Sequence, residues 1–385
     1  MTATATRFGL VFALWGAGLG AAGQYAKISV IFEPLGLHYG TQGAALGLLV
    51  SAVGVMGIIF GVVAGLIVTR LTLRRAMLIG LTLGGVLSLL QATLPALPLF
   101  IASRVIEGAS HLLIVVAAPT LIAQASSVRA RGFTLTLWGS FFGVSFALLI
   151  LLGLPLVARF GLPSLFVAHG GYMLAFAALL ALMVPRDAPV TEPLTIAGAV
   201  RRHVEIYRSP HKNAAGLGWL FYTFCFVTSV TFLPQFIDAE IRTAVAAAMP
   251  LVAIAASLTL GVVLLSRFSA VVTTQAAFLV SALTALALIL APGSAVLVLL
   301  FMCGLGIVQG ASFAVVPELN ESLEHRAQGN GALAQTGNIG NGLGTPVVAA
   351  LLAGAGYNAM MASFAVALIC GAMVHIWMAR LRKFA

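Results

Sequence analysis

Arg104-Val105-Ile106-Glu107-Gly108-Ala109-Ser110-His111 is the stretch that decides how this chain is read. It sits inside an apolar run, Leu99 to Ala123, longer than the roughly 20 residues a helix needs to cross about 30 Å of hydrocarbon. At about 100° per residue, steps of three and seven bring Arg104, Glu107 and His111 within roughly 60° of one another on one helical face. Charges inside a bilayer are costly, so such residues face a bundle interior or a water-filled cavity and mark a substrate or proton path. The alternative is a structural pair in which Arg104 and Glu107 neutralise each other.

Composition supports the membrane setting. The 385 residues are 61% hydrophobic and 8% charged, and the mean hydropathy is +1.09. Soluble domains are about half apolar and a quarter charged. Polar interruptions divide the chain into twelve apolar segments, with cores Phe8 to Phe32, Ala44 to Val68, Ala76 to Leu94, Leu99 to Ala123, Phe133 to Val157 and Leu162 to Val184, then Ala214 to Ile237, Ala244 to Ser266, Val271 to Ala291, Ala295 to Val316, Gly331 to Ala353 and Ala359 to Met378. The run after Arg7 is read as the first span, not as a signal peptide, because Lys27 and Glu33 follow it and no small-residue cleavage site stands out. The expected fold is an all-α membrane protein of twelve helices in two pseudo-symmetric six-helix bundles, residues 1–184 and 214–385, joined by a cytoplasmic linker, 185–213.

The formal charge of +10 raises the question of a nucleic-acid partner, which the positions of the cations answer. With twelve spans both termini share a side, and sixteen of the twenty Lys and Arg residues fall there, including five in the linker. The opposite side receives Arg159 and Arg242, while Lys27 and Arg104 lie within spans. By the positive-inside rule both termini are cytoplasmic, in a bacterial-type inner membrane, and the basic residues meet phospholipid, not nucleic acid. In the linker Ile196, Val200, Val204 and Tyr207 recur at helical spacing opposite Arg201, Arg202 and Glu205, which reads equally as a helix on the membrane surface or a solvated one. Cys225, Cys303 and Cys370 have no metal or disulfide spacing and read as apolar thiols.

The halves repeat. Gly108-Ala109-Ser110 returns as Gly310-Ala311-Ser312, and Arg129-Ala130-Arg131-Gly132 as Arg326-Ala327-Gln328-Gly329, with Pro119 and Pro317 placed similarly before them. The second copy lacks all three ionisable groups: Gly306 stands for Arg104, Gln309 for Glu107 and Phe313 for His111.

On these residues the chain resembles the major facilitator superfamily over essentially its whole length. Gly65-Leu-Ile-Val-Thr69-Arg70-Leu-Thr72-Leu73-Arg74-Arg75 is similar to the family's loop signature G-x-x-x-D-R-x-G-R-R, with Thr69 for the Asp, Thr72 for the second Gly and Leu73 for the next Arg. The resemblance makes Gly65, Arg70, Arg74 and Arg75 the gate motif, without the Asp that latches the cytoplasmic gate in the family. Arg104-x-x-Glu107-Gly108 resembles the fourth-helix signature R-x-x-Q-G, and Gly139-x-x-x-Gly143 carries Val144 where the signature of many drug exporters has Pro. The family holds substrate near the midplane between its halves, among helices 1, 4, 7 and 10, and works by alternating access.

Lys27 and Arg104 lie level, each about six residues or roughly 9 Å inside its helix, so both can converge on one anion unless Lys27 snorkels to the interface. Arg104 offers a permanent charge in a planar fork that suits a carboxylate. The expected substrate residues are Arg104, Lys27, Gln24, Tyr25, Tyr222, Gln309 and Phe313. Glu107 and His111 are the expected proton-coupling pair, one by releasing Arg104 on protonation and the other by titrating in the physiological range. In helix 11 the glycines around Gln335, Asn338 and Asn341 predict a closely packed, mobile helix, with the two asparagines as interhelical hydrogen-bond partners.

There is no nucleotide-binding glycine loop and no metal cluster, and Ser110 and His111, adjacent on a helix, point apart, so neither an ATP-driven pump nor an intramembrane hydrolase is expected. The sequence therefore predicts a secondary transporter, not an enzyme: proton-coupled symport and uptake of a small organic anion or zwitterion, by a monomer whose partners are substrate, protons and lipid and which needs no cofactor. The alternatives are a proton-driven drug or metabolite efflux pump and a non-cycling lipid-handling or membrane-complex assembly factor.

Overall fold

The computed structural model describes residues 5–61, 64–127, 129–185 and 196–383. Among them every regular element is helical. Their contacts group the chain into two compact units, Met1–Tyr39 with Val55–Leu194, and Gly40–Gly54 with Thr195–Ala385.

Unit 1 contains α1 (Phe8–Val30) and α2 (Phe32–Tyr39); unit 2 takes α3 (Gly43–Ser51); unit 1 resumes with α4 (Val55–Phe60), α5 (Ala64–Leu71), α6 (Leu73–Gln91), α7 (Leu97–Ala125), α8 (Arg131–Gly139), α9 (Phe141–Leu148), α10 (Leu154–Phe160) and α11 (Leu162–Met183). Helix α1 packs against α7, α9 and α11, and α6 lies against both α7 and α11. Glycines in α1 set these distances. A Cβ on Gly20 would stand 2.4 Å from Met173 Sδ, and one on Gly18 2.5 Å from the Trp138 ring, so neighbouring helices approach the bare backbone. The carbonyls of α1 are thereby within reach of side chains: Gly16 O accepts from Tyr172 (2.8 Å) and Leu19 O from Ser145 (2.8 Å).

Unit 2 contains α3, α12 (Ile196–Arg208), α13 (Ala214–Phe232), α14 (Arg242–Ala256), α15 (Val262–Leu265), α16 (Ala270–Leu290), α17 (Ala295–Leu319) and α18 (Leu323–Arg382). The 60 residues of α18 are two helices that run on across Gly356, whose φ of 78° and ψ of −170° are not helical. The glycines of its first part pack on α13, where a Cβ on Gly340 would fall 2.1 Å from Thr223 Oγ1 and 2.2 Å from Leu220 O. Helix α3, which the sequence places in the first half, packs on α18: Gly47 has no side chain to separate its backbone from Pro346, and Ser51 donates to Asn341 O at 3.1 Å. Asn338 departs from its expected interhelical role, its amide donating to Ala334 O of its own helix at 2.8 Å.

Ten described segments are long and apolar enough to cross a membrane; the last of them divides at Gly356, and α1, with its 23 residues, completes twelve. Large apolar side chains such as Leu182, Leu283, Leu290 and Val296 cover the outside, which is where lipid replaces water. Three helix starts in unit 2 carry serine caps. Ser269, Ser294 and Ser322 accept from the backbone N–H three residues on, and Glu318 adds its carboxylate to the N–H groups of Ala270 and Val271.

Within unit 2 the linker helix α12 is anchored at its C-terminal end and just beyond it. Tyr207 donates to Gln335 Oε1 at 2.7 Å, burial pushes its phenol up to about 12, and Asn320 donates to His211 O. Its buried apolar residue is Ile206, while Val204 is exposed and the side chains of Ile196, Val200 and Arg202 lie outside those described.

Candidate functional site

The three charged residues of the membrane interior meet in unit 1. Lys27 of α1 and Arg104 and Glu107 of α7 are all 0% exposed. Among the described residues they are the only buried Lys, Arg, Asp or Glu side chains. Glu107 Oε1 accepts from Lys27 Nζ at 2.7 Å. Glu107 Oε2 accepts from Arg104 Nη1 and, at 2.8 Å, from Gln91 Nε2. Arg104 Nη2 donates to Gln24 O of α1 at 2.7 Å.

Lys27 therefore does not snorkel. Its ammonium has three protons and three acceptors around it: Glu107 Oε1, Ser88 Oγ at 3.0 Å and His169 Nδ1 at 3.4 Å. The Phe166 ring lies 5.5 Å from the same nitrogen. Burying an ion without such partners is prohibitive, and removing one partner of a buried pair leaves the other uncompensated. The intrahelical pairing of Arg104 with Glu107 is present, but it is not self-contained, because the carboxylate is shared with Lys27 and two cations face one anion.

Around this core Gln24 Nε2 donates to Ser110 Oγ at 2.7 Å, and Ser110 donates to Gly80 O at 2.6 Å. His111 Nδ1 lies 3.0 Å from Ala21 O. A carbonyl only accepts, so that nitrogen carries the proton and Nε2 is the basic one. Among the described residues Nε2 has no hydrogen-bond partner, which leaves it open to a proton. Tyr25 packs edge-on to the His111 ring with centroids 5.2 Å apart.

The structure thus gathers Arg104, Lys27, Glu107, Gln24, Tyr25 and His111 in unit 1. Tyr222, Gln309 and Phe313 belong to unit 2. There Trp219 stacks on Tyr222 with centroids 4.3 Å apart and meets Phe313 edge-on at 5.0 Å, so one indole joins two of the three. Tyr222 is buried, Gln309 half-buried and Phe313 exposed. Of the gate motif, Gly65 and Arg70 lie outside the residues whose side chains are described. Arg75 is exposed, and Arg74 donates to Val184 O (2.9 Å) and Ala181 O (2.8 Å), where it closes the C-terminal end of α11.

Sequence reasoning missed His169, Ser88 and Gln91. His169 stands in α11, an otherwise apolar span, and the rule that singled out Lys27 applies to it equally. It lies outside helices 1, 4, 7 and 10, where the family resemblance places the substrate.

Two pseudo-repeated helical units with a buried ionic cluster in one of them define a polytopic membrane transporter. The family model described as Major Facilitator Superfamily matches residues 10–345, and the chain belongs to that family. It is a membrane transporter, not an enzyme. Among solved structures, the bacterial homologue of the human lysosomal transporter Spinster is similar over 98% of both chains, at 15% identity and a TM-score of 0.73, in structures described as inward-facing, unoccupied and occupied. The fucose:proton symporter FucP of E. coli, in a single-residue variant, is similar over 97% of this chain and 98% of its own, at 17% identity and a TM-score of 0.67. Likeness at this identity concerns the fold. No curated protein matches the sequence.

Proposed function

We propose that this transporter carries a small organic anion together with protons, inward across a bacterial inner membrane, with both termini in the cytoplasm. The observation that carries the reading is the charge of the buried cluster. Lys27, Arg104 and Glu107 sum to one positive charge at sites fully removed from water. A carboxylate substrate would neutralise that charge and receive the planar fork of Arg104. Gln24 Oε1, buried and without a hydrogen-bond partner among the described residues, is an acceptor and so suits a donor group on the substrate such as a hydroxyl, not its carboxylate. Protons would enter through Glu107, whose neutralisation frees both cations, and through the open Nε2 of His111. The basic residues concentrated on one side of the spans support the orientation.

The test is a thermal-shift screen of the purified protein with benzoate and lactate as anions, alanine as zwitterion, fucose as neutral solute and choline as cation. Only a ligand that prefers the folded state raises the midpoint. The anions raise it in wild type and lose that effect in Arg104→Ala, and pH-driven uptake of the same anion into proteoliposomes is lost with it. Equal stabilisation of wild type and Arg104→Ala by every anion would refute the assignment.

A further inference from the structure

His169 has a place in the cluster that none of the proposed roles uses. It lies on α11, is 6% exposed, and points both ring nitrogens at partners. Nε2 is 2.9 Å from Gly20 O and so carries a proton. Nδ1 is then the basic nitrogen, 3.0 Å from Ser88 Oγ and 3.4 Å from Lys27 Nζ. Ser88 directs its own hydroxyl to Phe166 O at 3.0 Å, which leaves the lysine as the donor to Nδ1. The charged groups facing the ring are Lys27 of α1 and Glu107 and Arg104 of α7, while α6 contributes Ser88.

A proton added at Nδ1 finds its hydrogen bonds already built. The Nδ1–H can donate to Ser88 Oγ, Ser88 continues to donate to Phe166 O, and Nε2–H keeps Gly20 O. The ammonium of Lys27 is what loses: one acceptor becomes a donor of like charge 3.4 Å away, and a second acceptor, Ser88 Oγ, is contested. Glu107 is the one acceptor neither lost nor contested.

We propose that His169 is a proton-accepting positioning residue that controls Lys27: protonation at Nδ1 moves the ring's bond onto Ser88 and releases the lysine ammonium from the Ser88 and His169 side of its site. The step forms one N–H bond with a proton from solvent, and Lys27 keeps its three protons. Its meaning for transport rests on the anion reading above, since an ammonium released beside Arg104 is then available to a carboxylate and the added proton travels with it. The two histidines differ in kind. His111 takes a proton without disturbing any hydrogen bond, whereas His169 exchanges its proton against the placement of a lysine.

Nitrogen NMR of the full-length protein labelled at histidine and at lysine Nζ tests this without any transported solute, with assignment by His169→Gln and His111→Gln. Neutral His169 is expected as the Nε2–H tautomer and neutral His111 as the opposite one, Nδ1–H. As His169 protonates, the Lys27 Nζ signal shifts in step. Lys27→Met raises the protonated-to-neutral ratio of His169 at a given pH by about tenfold or more, because it removes a like charge in hydrogen-bond contact. Ser88→Ala lowers that ratio by removing the acceptor for Nδ1–H. An Nδ1–H tautomer at His169, a Lys27 signal indifferent to His169, or shifts of the same sign in both variants would overturn the proposal. Should either variant fail to fold, the tautomer and the coupled Lys27 signal in the wild type decide it. Loss of the anion reading would show instead as an Arg104→Ala effect absent from the thermal screen, with the histidine results unchanged.

Discussion

Counting charges in the buried cluster ranks its mutants. The wild type holds two cations and one carboxylate, a sum of plus one at fully buried positions. Glu107→Gln leaves plus two, with Lys27 and Arg104 both deprived of their shared counter-ion. Breaking a buried pair in this way costs about 3–5 kcal/mol, because the remaining charge is uncompensated and cannot reach water. Lys27→Met gives the opposite result, since it leaves Arg104 with Glu107 and a sum of zero. Its cost is that of three acceptors, Ser88, His169 and Glu107 Oε1, losing a donor, about 2–3 kcal/mol at a net value near 1 kcal/mol per hydrogen bond. The double mutant returns to plus one and should recover part of the Glu107→Gln loss, a coupling between contacting residues of about 1–3 kcal/mol. The assay is reversible unfolding in mixed detergent micelles, followed by tryptophan fluorescence, on the four proteins of the cycle. A Lys27→Met protein as unstable as Glu107→Gln, or a double mutant showing the simple sum, would refute the claim that excess positive charge governs this site.

The close helix contacts make further expectations. Gly340→Val should cost about 1–3 kcal/mol by forcing α18 off α13, while Gly331→Ala, with nothing within 4 Å of its added methyl, should be neutral or stabilise by up to about 1 kcal/mol; the same unfolding assay separates them. Arg74→Ala frees the last carbonyls of α11 and should cost about 1–2 kcal/mol, read as faster hydrogen exchange at Ala181 to Val184. Tyr207→Phe removes the bond to Gln335 and should increase protease access to the linker helix, with a cost of about 1 kcal/mol. An unchanged digestion pattern would mean that this bond does not hold the helix in place.

How far the sequence could be read depends on what kind of information each feature carries. The shared face of Arg104, Glu107 and His111 follows from helical spacing alone, and the level placement of Lys27 with Arg104 follows from rise per residue. Both are read from helical geometry without knowledge of lateral packing, and in the structure the two cations share Glu107. His169 and Gln91 belong to other helices, α11 and α6, and enter the cluster through the lateral order of a packed bundle. A one-dimensional pattern does not encode that order. Asn338 of α18 shows the complementary limit: a buried amide needs a partner, but its own helix supplies one at i−4 as readily as a neighbour does.

The pseudo-repeat shows why the chemistry settled in one half. Gly-Ala-Ser serves packing in both: Ser110 lets α7 approach Gly80, and Gly310 admits the Ser257 side chain of the π-helical turn after α14. Buried ions need more than close packing. They need polar atoms already fixed in place, and in unit 1 α1 supplies them from its own backbone: Gly20, Ala21 and Gln24 offer carbonyls to His169, His111 and Arg104. Gly23 stands beside this row, and a Cβ there would come within 3.0 Å of the His169 ring. The second copy has the same serine, yet Ser312 Oγ is buried without a partner among the described residues and no cation stands near the positions of Gly306 and Gln309 in the sequence. A glycine-bared helix that accepts side-chain donors along one edge is therefore the condition for placing Lys27, Arg104 and two histidines in an apolar bundle. Substituting Gly23 by Ala tests that dependence directly, since the His169 ring must give way before any charge is touched. Its expected result is an altered His169 resonance and a weaker Lys27 contact, with Arg104 and Glu107 undisturbed.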